Sequence, residues 1–124
     1  MGWTQPALAR GSKIPPMDIE QIEVVLDEAW TALEDENIDA ALAAIAKLVA
    51  EAEIQPYMGE VILLEVQVRL RGGDRPGAAA ALERQPAPDA DDDNLLLARA
   101  ELALAEWRIP EARELYTRLV VSVP

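Results

Sequence analysis

Cysteine and histidine are both absent from this 124-residue chain. Their absence removes a thiol nucleophile, an imidazole base, a disulfide framework and the usual ligands of a zinc site. Phenylalanine is absent too, and three Trp and two Tyr are the only aromatic residues, which leaves little material for aromatic-rich strands. No apolar run approaches the ~20 residues that span a bilayer. The opening segment, MGWTQPALARGSKIPP, is broken by Pro6, Pro15 and Pro16 and lacks the apolar stretch of a signal peptide. Gly2 is followed by Pro6 where a myristoylation motif needs Ser or Thr. Basic residues are scarce, 11 against 23 acidic ones, for a net charge of −12. Nucleic acid and anionic membranes are therefore not expected as partners. Scattered carboxylates such as Glu34 with Glu36, or Asp91 with Asp93, come without a nucleophile or an oxyanion device. No enzymatic activity, cofactor or metal is expected. We expect a soluble, cytoplasmic protein.

What is present is dominated by alanine and leucine within a 51% apolar composition. Both lose little rotamer freedom in a helix, so the composition predicts an all-α fold. The charge is uneven. Residues 1–68 carry 3 basic and 13 acidic side chains, and residues 69–124 carry 8 and 10. A partner steered by charge would be basic and would meet the first half; a partner could instead offer an apolar segment, and the acidity serves equally to keep an Ala/Leu-rich chain soluble. Arg outnumbers Lys nine to two, which with abundant Ala points to a GC-rich bacterial genome.

Residues 1–17, rich in Gly and Pro, read as a flexible tail. From Asp18 onward Ile19, Ile22, Val25 or Leu26, Ala29 and Leu33 recur at spacings of three and four and predict a first helix, ending near Glu36-Asn37. A second is predicted from Asp39 to Glu53. Further helices are predicted over 58–71, 76–84, 92–106 and 110–121. Gly72-Gly73-Asp74 marks a turn, and Pro76 suits a first helical turn because its missing N–H is not needed there.

The segment from Asp74 to Arg84 matches that from Arg108 to Arg118 at a shift of 34, with Pro76 on Pro110, Ala78 on Ala112 and Leu82 on Tyr116. The first helical pair joins at a shift of 37, with Leu26, Ala29, Leu33 and Ala41 on Leu63, Val66, Leu70 and Ala78. Three units result, about 18–56, 57–90 and 91–124. A period of 34 with two helices per unit resembles the tetratricopeptide repeat. Small residues carry the resemblance: Ala29 and Ala100 in first helices, Ala41, Ala78 and Ala112 in second ones. Val66, and Ile38, Arg75 and Ile109 where the family usually has an aromatic, depart from the pattern.

The resemblance implies a right-handed α-solenoid of three antiparallel helix hairpins, acting as a protein–protein interaction module. In such an array the first helix of each unit lines an inner groove. The groove residues it implies are Glu23, Leu26, Trp30, Leu33 and Glu34, then Glu60, Leu63, Gln67, Leu70 and Arg71, then Asn94, Leu97, Glu101 and Leu104. For any single leucine here, burial in the core is the favoured reading. Trp30 is either a binding anchor or packs beneath the tail against Ile14 or Pro15. The groove's Glu, Leu and Trp do not suit a clamp for a peptide's terminal carboxylate. The Asp89, Asp91, Asp93 spacing echoes a calcium loop, but no Gly or bidentate Glu follows in place, and a capped helix start explains it better. Finally, the apolar run through Leu119, Val120 and Val123 would leave an unfinished face for a homo-oligomeric partner or for further repeats. The alternative function is thus a helical oligomerisation or regulatory domain of a larger multidomain protein.

Overall fold

A computed structural model describes residues 18–50, 57–84 and 92–122. Among them there are six α-helices and no strand: α1 (Ile19–Glu34), α2 (Ile38–Val49), α3 (Met58–Arg71), α4 (Arg75–Leu82), α5 (Asp93–Ala105) and α6 (Ile109–Ser122). The expected tail, and the expected end of the second helix at Glu53, lie outside the described residues. Within them, the first helix stops at Glu34, two residues before the predicted break, and α4 at Leu82. None of these helices is long and apolar enough to cross a membrane.

The local reasons are visible residue by residue. Asp18 and Gln21 form a reciprocal capping box, each side chain accepting from the other's backbone N–H at 2.9 and 3.0 Å. Ile22, Leu26, Ala29 and Leu33 then fall on one buried stripe of α1. The side chains of Asn37, Asp74 and Asp92 accept from the first free N–H groups of α2, α4 and α5. Asp92 is thereby the capping residue that the acidic run was read to contain, while Asp89 and Asp91 lie outside the described residues. Helix α3 is buried almost all round, from Val61 to Val66 and again at Val68, as befits the central element.

The connections after α1, α3 and α5 share one geometry. Glu36, Gly73 and Trp107 adopt left-handed backbone angles, with φ of 57°, 79° and 61°. The following N–H groups, of Asn37, Asp74 and Arg108, reach back to the carbonyls of Ala32, Arg69 and Ala103 at 2.7–2.8 Å. This is the six-to-one bond of a Schellman ending. Successive turns are offset by 37 and 34 residues, the shifts found in the sequence. Only the middle unit places a glycine at the left-handed position, where a Cβ is unfavourable. Trp107→Gly is accordingly expected to stabilise the fold by about 0.5–1 kcal/mol, after allowing for glycine's greater unfolded-state entropy. Urea unfolding at equilibrium measures this, and a lower midpoint for the variant would show that the indole supports the turn.

Packing follows chain order. Helix α1 packs on α2, α3 on α4 and α5 on α6, while α3 also touches α1, α2 and α5. One apolar cluster joins α1, α2 and α3, a second joins α3, α4 and α5, and a small third joins α5 and α6 around Leu96, Ala100 and Leu115. The small residues Ala29, Ala41, Ala78, Ala100 and Ala112 are all buried. Glu65 is the one buried charged residue among those described; Arg69 at 2.7 Å and Arg84 at 2.5 Å hold it.

Candidate functional site

Two side-chain bonds run from one odd-numbered helix to the next, and a third joins α1 to the residue that precedes α3. The Tyr57 hydroxyl donates to Glu23 at 3.1 Å, the Trp30 indole N–H donates to Glu60 at 2.9 Å, and the Gln67 amide donates to Glu101 at 3.2 Å. Five of the expected groove residues are therefore joined in pairs or to a neighbour: Glu23, Trp30, Glu60, Gln67 and Glu101. Tyr57 was not foreseen, because it precedes α3 and sits outside the first-helix face that the repeat register defines.

Three of the expected groove residues are core instead. Leu26 is buried in the first apolar cluster and Leu63 in the second; Leu33 joins Leu26 there. A leucine on the boundary of an amphipathic stripe gains more by full burial than by lining a groove. Leu97 is half-buried and packs on the second cluster. Glu34 and Asn94 are exposed, and Leu104 is exposed as well. Trp30 is half-buried against both the first and second clusters. Its expected neighbours Ile14 and Pro15 lie outside the described residues.

Between α3 and α5 lies an open cleft of about 310 Å³, lined by Gln67, Leu70, Arg71 and Glu101. All four belong to the groove set. Gln67 and Arg71 share a face of α3 because they stand four residues apart. One carboxylate oxygen of Glu101, Oε2, accepts from Gln67. The other, Oε1, is buried and has no hydrogen-bond partner among the described residues. Burial pushes the Glu101 carboxyl above the ordinary carboxylate range, and the Gln67 bond and the Arg71 charge oppose that only in part. Burial, with the nearby Glu101 charge, also raises the Tyr116 phenol.

The raised Glu101 value fixes the sign of its stability effect. The folded state holds the proton more tightly than the unfolded one. Glu101 therefore supports folding below the ordinary carboxylate range, and this support is lost as pH rises through its folded value. Glu101→Gln is expected to raise the melting temperature near pH 7 and to leave it unchanged below about pH 4. A variant less stable at both pH values would mean that the carboxylate is satisfied after all.

A second cleft, of about 410 Å³, is formed by α1 and the turn after it; its lining includes Val24, Asp27, Glu28, Thr31 and Asp35. Val24 is 56% exposed. The signal for it was the absence of any Lys or Arg between residues 14 and 46, which marks an acidic face without giving its shape. On α6, Leu119 is half-buried against the third cluster and Val120 is 74% exposed; Val123 lies outside the described residues. Comparison with protein-family models, curated proteins and solved structures found no match to this chain.

Proposed function

We propose that this chain is a protein-interaction module of the tetratricopeptide type, a right-handed solenoid of three antiparallel helix hairpins that holds a partner's peptide along its odd-numbered helices. The observation that carries this reading is the cleft between α3 and α5. Four residues that the 34-residue register assigns to an inner groove line one open depression there, and an unsatisfied carboxylate oxygen stands among them. Buried polar atoms are normally paired, so a cleft-lining carboxylate with one buried oxygen unpaired among the described residues is suited to a ligand that supplies a donor. The matching turns at offsets of 37 and 34 support the repeat. The acidity of the first half favours partners carrying basic residues flanking the bound segment. No catalytic role is assigned, and the setting is the bacterial cytoplasm.

Selection of random peptides displayed on phage against the full chain tests this. Selected peptides are expected to compete with one another and to lose binding to Arg71→Ala and Gln67→Ala variants that still melt cooperatively. Peptides that bind both variants unchanged would place the docking surface elsewhere and end the groove reading.

A second reading rests on Val120, an exposed apolar side chain on a helix that packs chiefly on α5. It is association of two copies through α6. Light scattering across a dilution series separates the two, since a monomer at all micromolar concentrations counts against self-association.

A further inference from the structure

Resting on the groove reading, we propose that the cleft between α3 and α5 is a pocket for a carboxamide, the side chain of an asparagine or glutamine in the bound peptide, gripped by Glu101 and Arg71. The cleft is lined by one carboxylate and one guanidinium that share no hydrogen bond or ion pair among the described residues. Glu101 Oε1 is buried and has no hydrogen-bond partner among the described residues. Arg71 is exposed and makes no hydrogen bond or ion pair among the described residues; it acts on Glu101 only through its charge. The opposite charges face one depression without meeting.

That arrangement selects by chemistry. A cationic side chain would satisfy Glu101 and be repelled by Arg71, and an anionic one would do the reverse within a chain of net charge −12. Either would leave one charged group of the cleft unmatched. A carboxamide is neutral and carries two N–H donors and a carbonyl acceptor on one planar end. Its N–H donates to Glu101 and its carbonyl accepts from Arg71, while Leu70 lies along the methylene stem. Oε1 is buried while Oε2 accepts from Gln67, so bringing Oε1 to the cleft means turning the carboxylate about its soft terminal torsion at the expense of the Gln67 bond. A main-chain amide offers the same two groups, but on opposite edges and flanked by its own chain, so it cannot project into the cleft as a side chain does.

The test titrates the isotopically labelled full chain with four capped tripeptides, acetyl-Ala-X-Ala-N-methylamide with X as Gln, Ala, Lys or Glu, following amide chemical shifts by NMR. The Gln peptide is expected to saturate at millimolar concentration, with shifts centred on Gln67, Arg71 and Glu101, and to bind about tenfold tighter than the Ala peptide. Glu101→Gln and Arg71→Ala are expected to erase that preference. The Glu101 variant is expected to melt no lower than the parent, so loss of binding there is not loss of fold. Equal affinity of the Gln and Ala peptides overturns the proposal in favour of main-chain recognition. Tighter binding of Lys or Glu at the same residues overturns it too, yet leaves the groove reading standing. No saturable shift with the Gln peptide overturns it outright, and the display selection then decides separately whether the groove binds peptides at all.

Discussion

Replacing Trp30 by alanine is expected to destabilise the fold by about 2–3 kcal/mol, one of the largest effects of any single substitution outside the fully buried core. Large-to-small changes at well-packed aromatic sites remove both transfer free energy and contacts, about 3–5 kcal/mol when burial is complete. Trp30 is half-buried, which lowers the figure, but it touches two clusters at once. The ring packs against the α1–α2–α3 cluster and the α3–α4–α5 cluster, and its N–H donates to Glu60 on α3. Its loss therefore loosens the seam between the first helical pair and the rest. Trp30→Phe keeps most of the ring and leaves Glu60 able to turn to water, so about 1 kcal/mol is expected for the lost bond and lost area. Denaturant unfolding of both variants checks the pair. If Trp30→Ala unfolds with the parent's midpoint, the residue is a free surface anchor and the seam is held by the aliphatic side chains alone.

The second large effect concerns Glu65. Burial alone would raise its carboxyl, but hydrogen bonds and charge from Arg84 and Arg69 outweigh burial and hold it below the ordinary range. Removing one partner of a buried pair costs about 3–5 kcal/mol when both ions are buried. Here the two arginine side chains are 34% and 30% exposed, so water screens part of the interaction. Arg84→Ala is expected to cost about 2 kcal/mol. It leaves Glu65 with Arg69 alone, and Arg69 also holds Asp74 at 3.0 Å. Glu65→Leu, by contrast, removes the ion together with its desolvation penalty and is expected to be near neutral. The contrast between the two variants is the diagnostic measurement. A Glu65→Leu chain as unstable as Arg84→Ala would show that the ion pair, and not apolar volume, anchors the end of α4.

The pH dependence of this group runs opposite to that of Glu101. A lowered folded-state value means that Glu65 supports folding above the ordinary carboxylate range. That support is lost as pH falls through its folded value. Acid therefore weakens the α3–α4 contact while relieving the α3–α5 cleft. An acid titration of the parent, with Glu101→Gln as the comparison, is expected to show the variant's advantage shrinking as Glu101 takes up its proton.

Much of the fold could be read before any coordinates. The stripe Ile22, Leu26, Ala29, Leu33 placed α1, Gly72-Gly73-Asp74 placed a turn, and the paired prolines at 76 and 110 exposed the period. These signals are local, since capping, periodicity and turn chemistry act within a few residues. The positions facing the cleft were also legible, because the register carried Gln67 onto Glu101. The division of the leucines was not. Leu26 and Leu63 occupy the same register position as Leu97, yet the first two are buried and the third only half so. Which of them a neighbouring helix covers depends on how that helix sits, and periodicity holds no information on that.

The chain's local chemistry settled its helices, its turns and their 34- and 37-residue recurrence, because each depends on side chains within one turn of the backbone they act on. Tertiary packing alone decided that Trp30 bridges two clusters, that Glu65 is buried between two arginines, and that Glu101 keeps a buried oxygen without a partner among the described residues. Those outcomes follow from side chains 19–34 residues apart in sequence meeting across helices, and the free energy of each depends on what the other helix excludes from water.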